Sequence, residues 1–350
     1  MRFGALTLVL SAGLFSFVRA QAPAAGNVSS PSDRSITLDV TVTDKSGKPV
    51  PDLQEEDFTL LDDKHPQKVS SFQANAANSR TEDPPLQVIL LIDAVNTSLR
   101  GMGDLRLQVE KFLKQDGGRL SLPTSLVVMT DTSQGQTAAT RDGNVLTQTL
   151  DSKQTGVREI GRSGGFYGGE DRVGVSLNTL AMLATKEASQ PGRKLLVWLS
   201  PGWPLLSGPN VELTTKDEEG IFAEVVRLST ALRDARITLY AVDPLGMEDA
   251  GSFQTFYYQS FLGGVTSASK AQNGNLALQV LAVQSGGVVL NSSNDTAGAI
   301  ANCLADARAF YTLTFGAPRA EHPNEYHSLQ VKIGKPKLKV RTRTGYYAQP

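Results

Sequence analysis

Residues 86–98 read LQVILLIDAVNTS, and this stretch decides the fold class. Apart from Gln87, positions 86–92 are all apolar and show no alternation with polar residues. Such a run is typical of a central parallel strand that is covered on both faces. The polar residues that follow, from Asp93 to Ser98, predict the end of the strand and the start of a helix. We therefore expect an open α/β sheet.

Further apolar stretches fit strands of the same sheet. They are 124–130 (TSLVVMT), 194–200 (KLLVWLS), 237–242 (ITLYAV) and 287–290 (GVVL). Between them, apolar residues recur at the three- and four-residue spacing of amphipathic helices, as in Leu105, Val109 and Phe112. This alternation predicts a doubly wound, mostly parallel α/β domain over residues 84–307.

Both flanks of this segment show the period-two alternation of half-buried strands. The stretches are 36–43, 58–61 and 69–72 before it, and 310–315, 326–333 and 337–344 after it. The polar residues 62–67 are predicted to join the second and third of these strands as a hairpin. Because three short strands make a poor core alone, we expect residues 36–78 and 308–347 to combine in one small β-sandwich, into which the α/β domain is inserted.

Composition limits the classes of partner. The 350 residues include 34 Lys and Arg against 35 Asp and Glu, a formal net charge of -1. This balance gives no overall attraction to nucleic acid or to an anionic membrane, so a nucleic-acid partner is not expected. Cys303 is the only cysteine, which excludes an intrachain disulfide.

The first twenty residues are predicted to be a signal peptide. Arg2 precedes a largely apolar stretch over 5–18, and cleavage is expected after Ala20. An uncleaved anchor is the alternative, but this run is shorter than the about 20 residues that span a bilayer. Residues 21–35 are predicted to form a linker rich in Ala, Pro, Ser and Asn. The mature protein is expected to be secreted or periplasmic, with no membrane span.

The order of elements resembles a von Willebrand factor type A (VWFA, or VWA) domain. The matching features are an apolar strand that ends in Asp93, a helix, a strand and hairpin, a Gly-rich loop, a helix, and a strand that ends in SPG at 200–202. The flanks LDVTVTDKSGKPVPDLQEEDFTLLDDKHPQKVSSF (38–72), FYTLTF (310–315) and TRTGYYA (342–348) are similar to the VWFA-related proteins of acidobacteria. The resemblance covers residues 36–347 and implies a protein-interaction or adhesion module.

The resemblance also implies a cation site at the carboxyl ends of the strands, where the metal completes its coordination with a partner's carboxylate. The family draws ligands from a D-x-S-x-S loop, from a Thr on a second loop and from an Asp on a third. Here the first loop reads DAVNT over 93–97, so Asp93 and Thr97 match the family pattern. Val95 stands at the middle ligand position and cannot coordinate a cation.

The second and third loops depart from the pattern as well. Glu170 stands where the family has the Thr, and Pro201 stands where it has the Asp. We therefore expect a metal-independent module without a cofactor, in which Asp93 caps its own loop by accepting backbone N–H bonds. The alternative is a cation-dependent adhesion module with a degenerate Mg²⁺ site formed by Asp93, Thr97 and Glu170, with Asn96 and water completing the shell.

Loops after the strands are the expected contact surface of an open sheet. The predicted partner-binding residues on these loops are Asn96, Phe166, Tyr167, Glu170 and Trp203. Trp203 is interpreted either as an interaction anchor or as a side chain folded onto its own loop. The expected partner is a protein or an envelope component, whose identity the sequence does not give.

An enzyme is not expected. The three histidines all lie in the β flanks and are interpreted as solvated hairpin residues: His65, His322 and His327. A catalytic triad in the crevice would therefore lack its histidine base. The Gly-rich residues 161–169 lack the spacing of a phosphate-binding loop and predict a glycine-permissive loop. A hydrolase or a polysaccharide-acting enzyme is the third functional class considered.

One strand with a basic face is predicted near the carboxyl terminus. Its residues are Lys335, Lys337, Lys339, Arg341 and Arg343, which alternate with uncharged positions. Protection of an edge strand against aggregation is the favoured interpretation, and attraction to an anionic partner is the alternative.

Overall fold

The structure is a computed structural model that describes most of the chain. The described residues are 34–76, 86–152, 165–204, 212–244 and 257–350. The predicted signal peptide at 1–20 and nearly all of the linker at 21–35 lie outside them, as do residues 161–164 of the Gly-rich stretch. Across the described ranges, no helix combines the length and the apolar character that crossing a membrane requires.

The strands and α-helices alternate in the middle of the chain. In chain order, the strands are β1 (Ser35–Thr43), β2 (Phe58–Asp62), β3 (His65–Gln67), β4 (Val69–Ala76), β5 (Leu86–Asp93), β6 (Arg119–Met129), β7 (Thr140–Asp142), β8 (Arg193–Leu199), β9 (Ile237–Val242), β10 (Val289–Leu290), β11 (Ala309–Gly316), β12 (Glu325–Ile333), β13 (Lys339–Arg341) and β14 (Gly345–Ala348). The helices are α1 (Leu99–Leu113), α2 (Gly143–Ser152), α3 (Gly165–Ala188), α4 (Thr215–Asp234), α5 (Leu278–Gln284) and α6 (Thr296–Ala305).

A six-stranded sheet with the order β10-β9-β8-β5-β6-β7 forms the centre of the described structure. Its strands pair in parallel except for β7, which is antiparallel to β6 at one edge. Every residue of β8 and β9 is buried. Helices α1, α2 and α6 pack on one face and α3, α4 and α5 on the other, so the prediction of a mostly parallel α/β sheet is confirmed.

The two ends of the chain pair with each other in two four-stranded sheets. Their orders are β13-β1-β11-β4 and β14-β12-β2-β3. In the first sheet, Val40 lies opposite Tyr311, and in the second Leu60 lies opposite Val331. Apolar residues of both sheets form one buried cluster. We call these two sheets the flank sheets; the division into domains at 36–78, 84–307 and 308–347 stays a prediction.

The predicted hairpin between 58–61 and 69–72 is wrong. Strand β2 turns into β3 through Asp63 and Lys64, whose φ angles are 46° and 69°. Two central residues with positive φ match the twist of a tight two-residue hairpin. Strand β4 leaves this hairpin and pairs with β11 in the other flank sheet.

The predicted basic strand is also shorter than expected. Strand β13 covers only Lys339–Arg341 and lies at the edge of its sheet beside β1. Lys337 has a left-handed φ of 69°, which interrupts the alternation. Arg341 binds Asp306 at 2.7 Å and the side chain of Arg343 is buried, so these five residues do not form a continuous charged ridge.

Candidate functional site

The crevice of the central sheet lies where the direction of chain winding reverses. From β5 the chain enters α1 on one face of the sheet, whereas from the neighbouring β8 it enters α4 on the opposite face. The connections after β5 and β8 therefore separate at their carboxyl ends. Open α/β sheets bind their ligands at such a reversal point.

Asp93 ends β5 at the base of this crevice and is completely buried. Its Oδ1 accepts hydrogen bonds from the backbone N–H groups of Val95 at 3.0 Å and Asn96 at 2.8 Å. Its Oδ2 accepts from Asn96 Nδ2 at 2.8 Å and from the Trp198 indole at 3.1 Å. A carboxylate offers about four lone-pair sites, and these four donors, together with a hydrogen bond from the Ser200 side chain, occupy them.

The electrostatics of Asp93 reflect both its burial and its donors. Burial raises the pKa of Asp93, while the hydrogen bonds from Asn96 and Trp198 oppose that increase. The N–H donors supply the polar partners that water would otherwise provide. Asp93 therefore has the contacts of a loop-capping carboxylate.

The residues after Asp93 begin helix α1 and tie it to α3. Asn96 Nδ2 also contacts Ser176 Oγ of α3 at 3.0 Å. Ser98 is the N-cap of α1 and accepts a hydrogen bond from Gly101 N at 2.9 Å. Thr97, between them, is completely buried. Side chains therefore cap this loop at its start, at Asp93, and at its end, at Ser98.

The family's cation site does not fit these residues. The side chain of Val95 is buried in the core cluster under α3 and offers no oxygen. Glu170 is exposed on α3, and the residue of that helix that reaches the Asp93 loop is Ser176. A cation at Asp93 would have to displace N–H donors that already occupy its oxygens.

Phe166, Tyr167 and Glu170 lie on a helix rather than on the predicted loop. Helix α3 begins at Gly165, and Gly168 and Gly169 within it are buried. Tertiary packing here overrides the low helix propensity of glycine. The side chains of Phe166 and Tyr167 lie outside the described part of the structure, so their role as partner contacts stays a prediction.

Trp203 is packed in the core, in contact with residues outside its own loop. Its side chain is only 6% exposed, and its indole N–H donates to the carbonyl of Leu276 at 2.8 Å. The ring packs edge-on against Trp198 with the centroids 5.3 Å apart. Because the ring is buried against Trp198 and bonded to Leu276 rather than folded onto its own loop, the structure does not support Trp203 as an exposed anchor.

An exposed surface that was not predicted lies along α1 at the same edge of the sheet. Leu99 is 68% exposed and Leu107 is 64% exposed. A cleft of about 270 Å³ lies beside Leu107 and extends to Pro244 and Asn294, which follow β9 and β10. The only sequence signal was that both leucines lie off the apolar stripe formed by Leu105, Val109 and Phe112.

The histidines show a further difference from the prediction. His65 and His322 are exposed, as expected, whereas His327 is buried on β12. The alternation of β12 could have indicated this, because His327 shares a strand face with Leu329 and Val331, and all three are buried. All three histidines lie in the β flanks rather than at the crevice.

Comparisons with known proteins give a limited result. No protein-family model matches the chain, and no curated protein matches it. An aerotolerance-related membrane protein from Bacteroides fragilis is similar in structure, with 15% identity over 63% of this chain and 98% of its own, at a TM-score of 0.36. A von Willebrand factor type A structure from Catenulispora acidiphila has 10% identity over 85% of this chain and 76% of its own, at a TM-score of 0.34.

A pilus adhesin, SpaC from Lactobacillus rhamnosus GG, is similar at the same level. It has 10% identity over 85% of this chain and 48% of its own, at a TM-score of 0.35. Likenesses this weak carry no argument about family, partner or chemistry. The crevice and its residues therefore have to carry any functional conclusion.

Proposed function

We propose that this chain is an exported, non-enzymatic interaction module of the VWA-like type. Its partner, a protein or an envelope component, docks without a metal ion at the carboxyl edge of the central sheet. The observation that carries the proposal is the exposure of Leu107, which lines a cleft at this edge, together with that of Leu99 at the start of the same helix. Large exposed apolar side chains next to a cleft are typical of interaction surfaces.

We call this exposed region the α1 surface. It consists of Leu99, Leu107 and the cleft between α1 and the loops after β9 and β10. Gln108 lines the cleft, and its side-chain oxygen is buried without a hydrogen-bond partner among the described residues. A buried acceptor without a donor costs free energy, so a partner that supplies an N–H or O–H group would gain from binding here.

Partner binding at this edge is independent of a metal ion. The oxygens of Asp93 are fully engaged by N–H donors, and Val95 and Pro201 supply no ligands at two of the family's positions. Mg²⁺ requires an octahedron of oxygens. The module therefore has to recognise its partner through side-chain contacts rather than through a shared cation.

Cys303 and the histidines are poorly placed for nucleophilic catalysis at the crevice. The thiol of Cys303 is completely buried, and burial raises its pKa far above the range of a reactive thiolate. The histidines of the described ranges lie in the β flanks, away from the loops after the central strands. These observations favour binding over nucleophilic catalysis.

A capture experiment tests the proposal. The mature protein is immobilised, and the material retained from envelope extract is quantified for the wild type, for Leu107→Asp and for the matched control Met182→Asp. Met182 is exposed on α3, which packs on the opposite face of the sheet. We expect Leu107→Asp to lower capture by about tenfold or more, Met182→Asp to leave it unchanged, and EDTA to have no effect.

Two outcomes would contradict the proposal. Loss of capture in EDTA, restored by Mg²⁺ and abolished by Glu170→Ala, would favour the cation-dependent adhesion module. Equal capture by the Leu107 and Met182 variants would show that the α1 surface is not the contact site. Circular dichroism of both variants checks that each is folded.

A further inference from the structure

A second cluster of ionisable side chains lies in the flank sheet β14-β12-β2-β3. It consists of Asp62 at the end of β2, Asp63 in the turn that follows, and Glu325 and His327 on β12. We call it the His327 cluster. Glu325 and His327 are two positions apart on one strand, so their side chains leave the same face of the sheet.

Three donor atoms converge within this cluster. His327 Nδ1 lies 3.0 Å from Asp62 Oδ1 and 3.3 Å from Asp63 Oδ2, and ligand atoms of the three residues all lie within 4.8 Å of one another. Zn²⁺ bonds of about 2.0–2.2 Å to nitrogen and oxygen place neighbouring ligands about 3.0–3.5 Å apart. Both separations from Nδ1 therefore agree with ligands of one ion.

Other residues hold each carboxylate by its second oxygen. Tyr346 OH donates to Asp62 Oδ2 at 2.7 Å. Ser328 donates to Asp63 Oδ1 from its backbone N–H at 2.9 Å and from its hydroxyl at 2.8 Å. Such outer-shell hydrogen bonds orient metal ligands in known sites. They leave one oxygen of each aspartate directed at the imidazole.

The His327 cluster contains more carboxylate acceptors than its imidazole has N–H groups to donate. A single Nδ1–H group cannot donate a full hydrogen bond to two carboxylate oxygens at once. With Glu325 included, three carboxylates surround one imidazole. A divalent cation at Nδ1 would satisfy both aspartate oxygens and neutralise two negative charges.

The other ring nitrogen provides a separate observation. His327 is 7% exposed, and its Nε2 is buried without a hydrogen-bond partner among the described residues. The nearest carboxylate oxygen, Glu325 Oε1, lies 3.9 Å from it. A metal-ligating histidine usually donates its second N–H to a carboxylate. With Nδ1 occupied by a metal, Glu325 would accept that bond once its Oε1 moves closer than the present 3.9 Å.

We propose that Asp62, Asp63 and His327 form a binding site for a divalent transition-metal ion of the Zn²⁺ class. An imidazole together with carboxylates suits zinc better than calcium or magnesium, which prefer oxygen ligands alone. The side chain of Asp63 is 48% exposed, so the ion enters from this side and water completes its coordination. The bound ion connects the β2–β3 turn to β12 in the flank sheet.

Calorimetric titration of Zn²⁺ into the mature protein tests the site. We expect one Zn²⁺ per chain in the wild type and an affinity lower by about 10- to 100-fold in Asp63→Asn. Asparagine tolerates the positive φ of this position and retains the oxygen that Ser328 contacts, so the variant removes the ligand charge without breaking the turn. Asp44→Asn is the matched control, because Asp44 accepts similar bonds from Ser46 in another exposed turn.

A second measurement identifies the ligand atoms. X-ray absorption at the zinc edge should show a first shell of nitrogen and oxygen only, with the outer scattering of one imidazole. His322→Gln removes an exposed histidine outside the cluster and should leave the affinity unchanged. The proposal is overturned if the wild type and Asp63→Asn bind Zn²⁺ equally, if neither binds it, or if His322→Gln abolishes binding.

Discussion

Asp93 and Asp62 are both buried aspartates at the end of a strand, but their surroundings differ. The oxygens of Asp93 receive four N–H donors, two of them from the backbone of its own loop. Asp62 receives the Tyr346 hydroxyl on one oxygen and shares the His327 nitrogen with Asp63 on the other. The first carboxylate has enough donors, whereas the second competes for them.

The difference follows from the kind of strand that each residue ends. After the parallel strand β5, the chain turns before helix α1 begins, and the N–H groups of Val95 and Asn96 in that turn lie outside the sheet ladder and bind the carboxylate. Asp62 pairs with Leu329 and His65 on its two sides, where neighbouring N–H groups belong to the sheet ladder. Its donors must therefore be side chains. A buried aspartate is a structural cap in the first setting and a candidate ligand in the second.

The largest expected effect tests how strongly the packing around Asp93 stabilises the fold. Trp203 packs on Trp198, which donates to Asp93. Trp203→Ala should lower the free energy of unfolding by about 3–5 kcal/mol, because it removes a large buried side chain. Urea denaturation measures this, and Leu99→Ala on the exposed surface should change stability by about 0.5 kcal/mol or less. Near-normal stability combined with weaker partner capture would instead make Trp203 an interaction anchor.

A smaller effect on the free energy of unfolding is expected from Asp93→Asn. Both carboxylate oxygens accept two N–H donors, so either orientation of the amide directs its NH₂ group against two donors. We expect a loss of about 2–3 kcal/mol in the free energy of unfolding. Asp151→Asn, at an exposed surface ion pair, is the control. A loss of about 1 kcal/mol or less at position 93 would show that the donors rearrange easily.

The His327 cluster should respond less to removal of a single donor. Tyr346→Phe removes the hydroxyl that binds Asp62 and should cost about 1.5 kcal/mol in zinc-free buffer, since hydrogen bonds to charged groups contribute more than neutral ones. Tyr326→Phe is a matched control, because its hydroxyl binds the neutral carbonyl of Thr344 at 3.3 Å. Equal losses in both variants would show that Asp62 does not differ from a neutral acceptor.

The smallest expected effect is the response of the crevice to Mg²⁺. Because the oxygens of Asp93 are occupied, calorimetric titration of the wild type with Mg²⁺ should show no submillimolar binding. Glu170→Ala should give the same result. Submillimolar binding that is lost in Glu170→Ala would show that the degenerate site forms after all, and that the two aspartates are more alike than their contacts indicate.

The central sheet was the most predictable part of the molecule. The run LQVILLI became β5, and the helical stripe that includes Leu105 and Val109 became the buried face of α1. Long periodic patterns determine element type because they reflect which face is buried. The start of α3 was not predictable, since the burial of Gly168 and Gly169 outweighs their local preference for a loop.

The candidate sites were less predictable, because they depend on contacts between distant parts of the chain. Asp93 as a loop cap followed from its place after a strand. The sequence allowed Trp203 to be either exposed or packed. Only the structure shows that the carbonyl of Leu276 lies next to its indole. His327 was assigned to solvent, although its alternation with Leu329 and Val331 placed it on the buried face of β12.

The sequence by itself determined the mostly parallel sheet, indicated the pairing of the two chain ends, and showed that the side chains of Val95 and Pro201 offer no oxygen to a cation. These features follow from local pattern and from the chemistry of single side chains. Only the tertiary structure decided which carboxylates have enough donors, because Asp62 contacts His327 and Tyr346, which lie more than 260 positions away along the chain. Hydrogen-bond saturation depends on three-dimensional neighbours, which residue type and spacing do not specify.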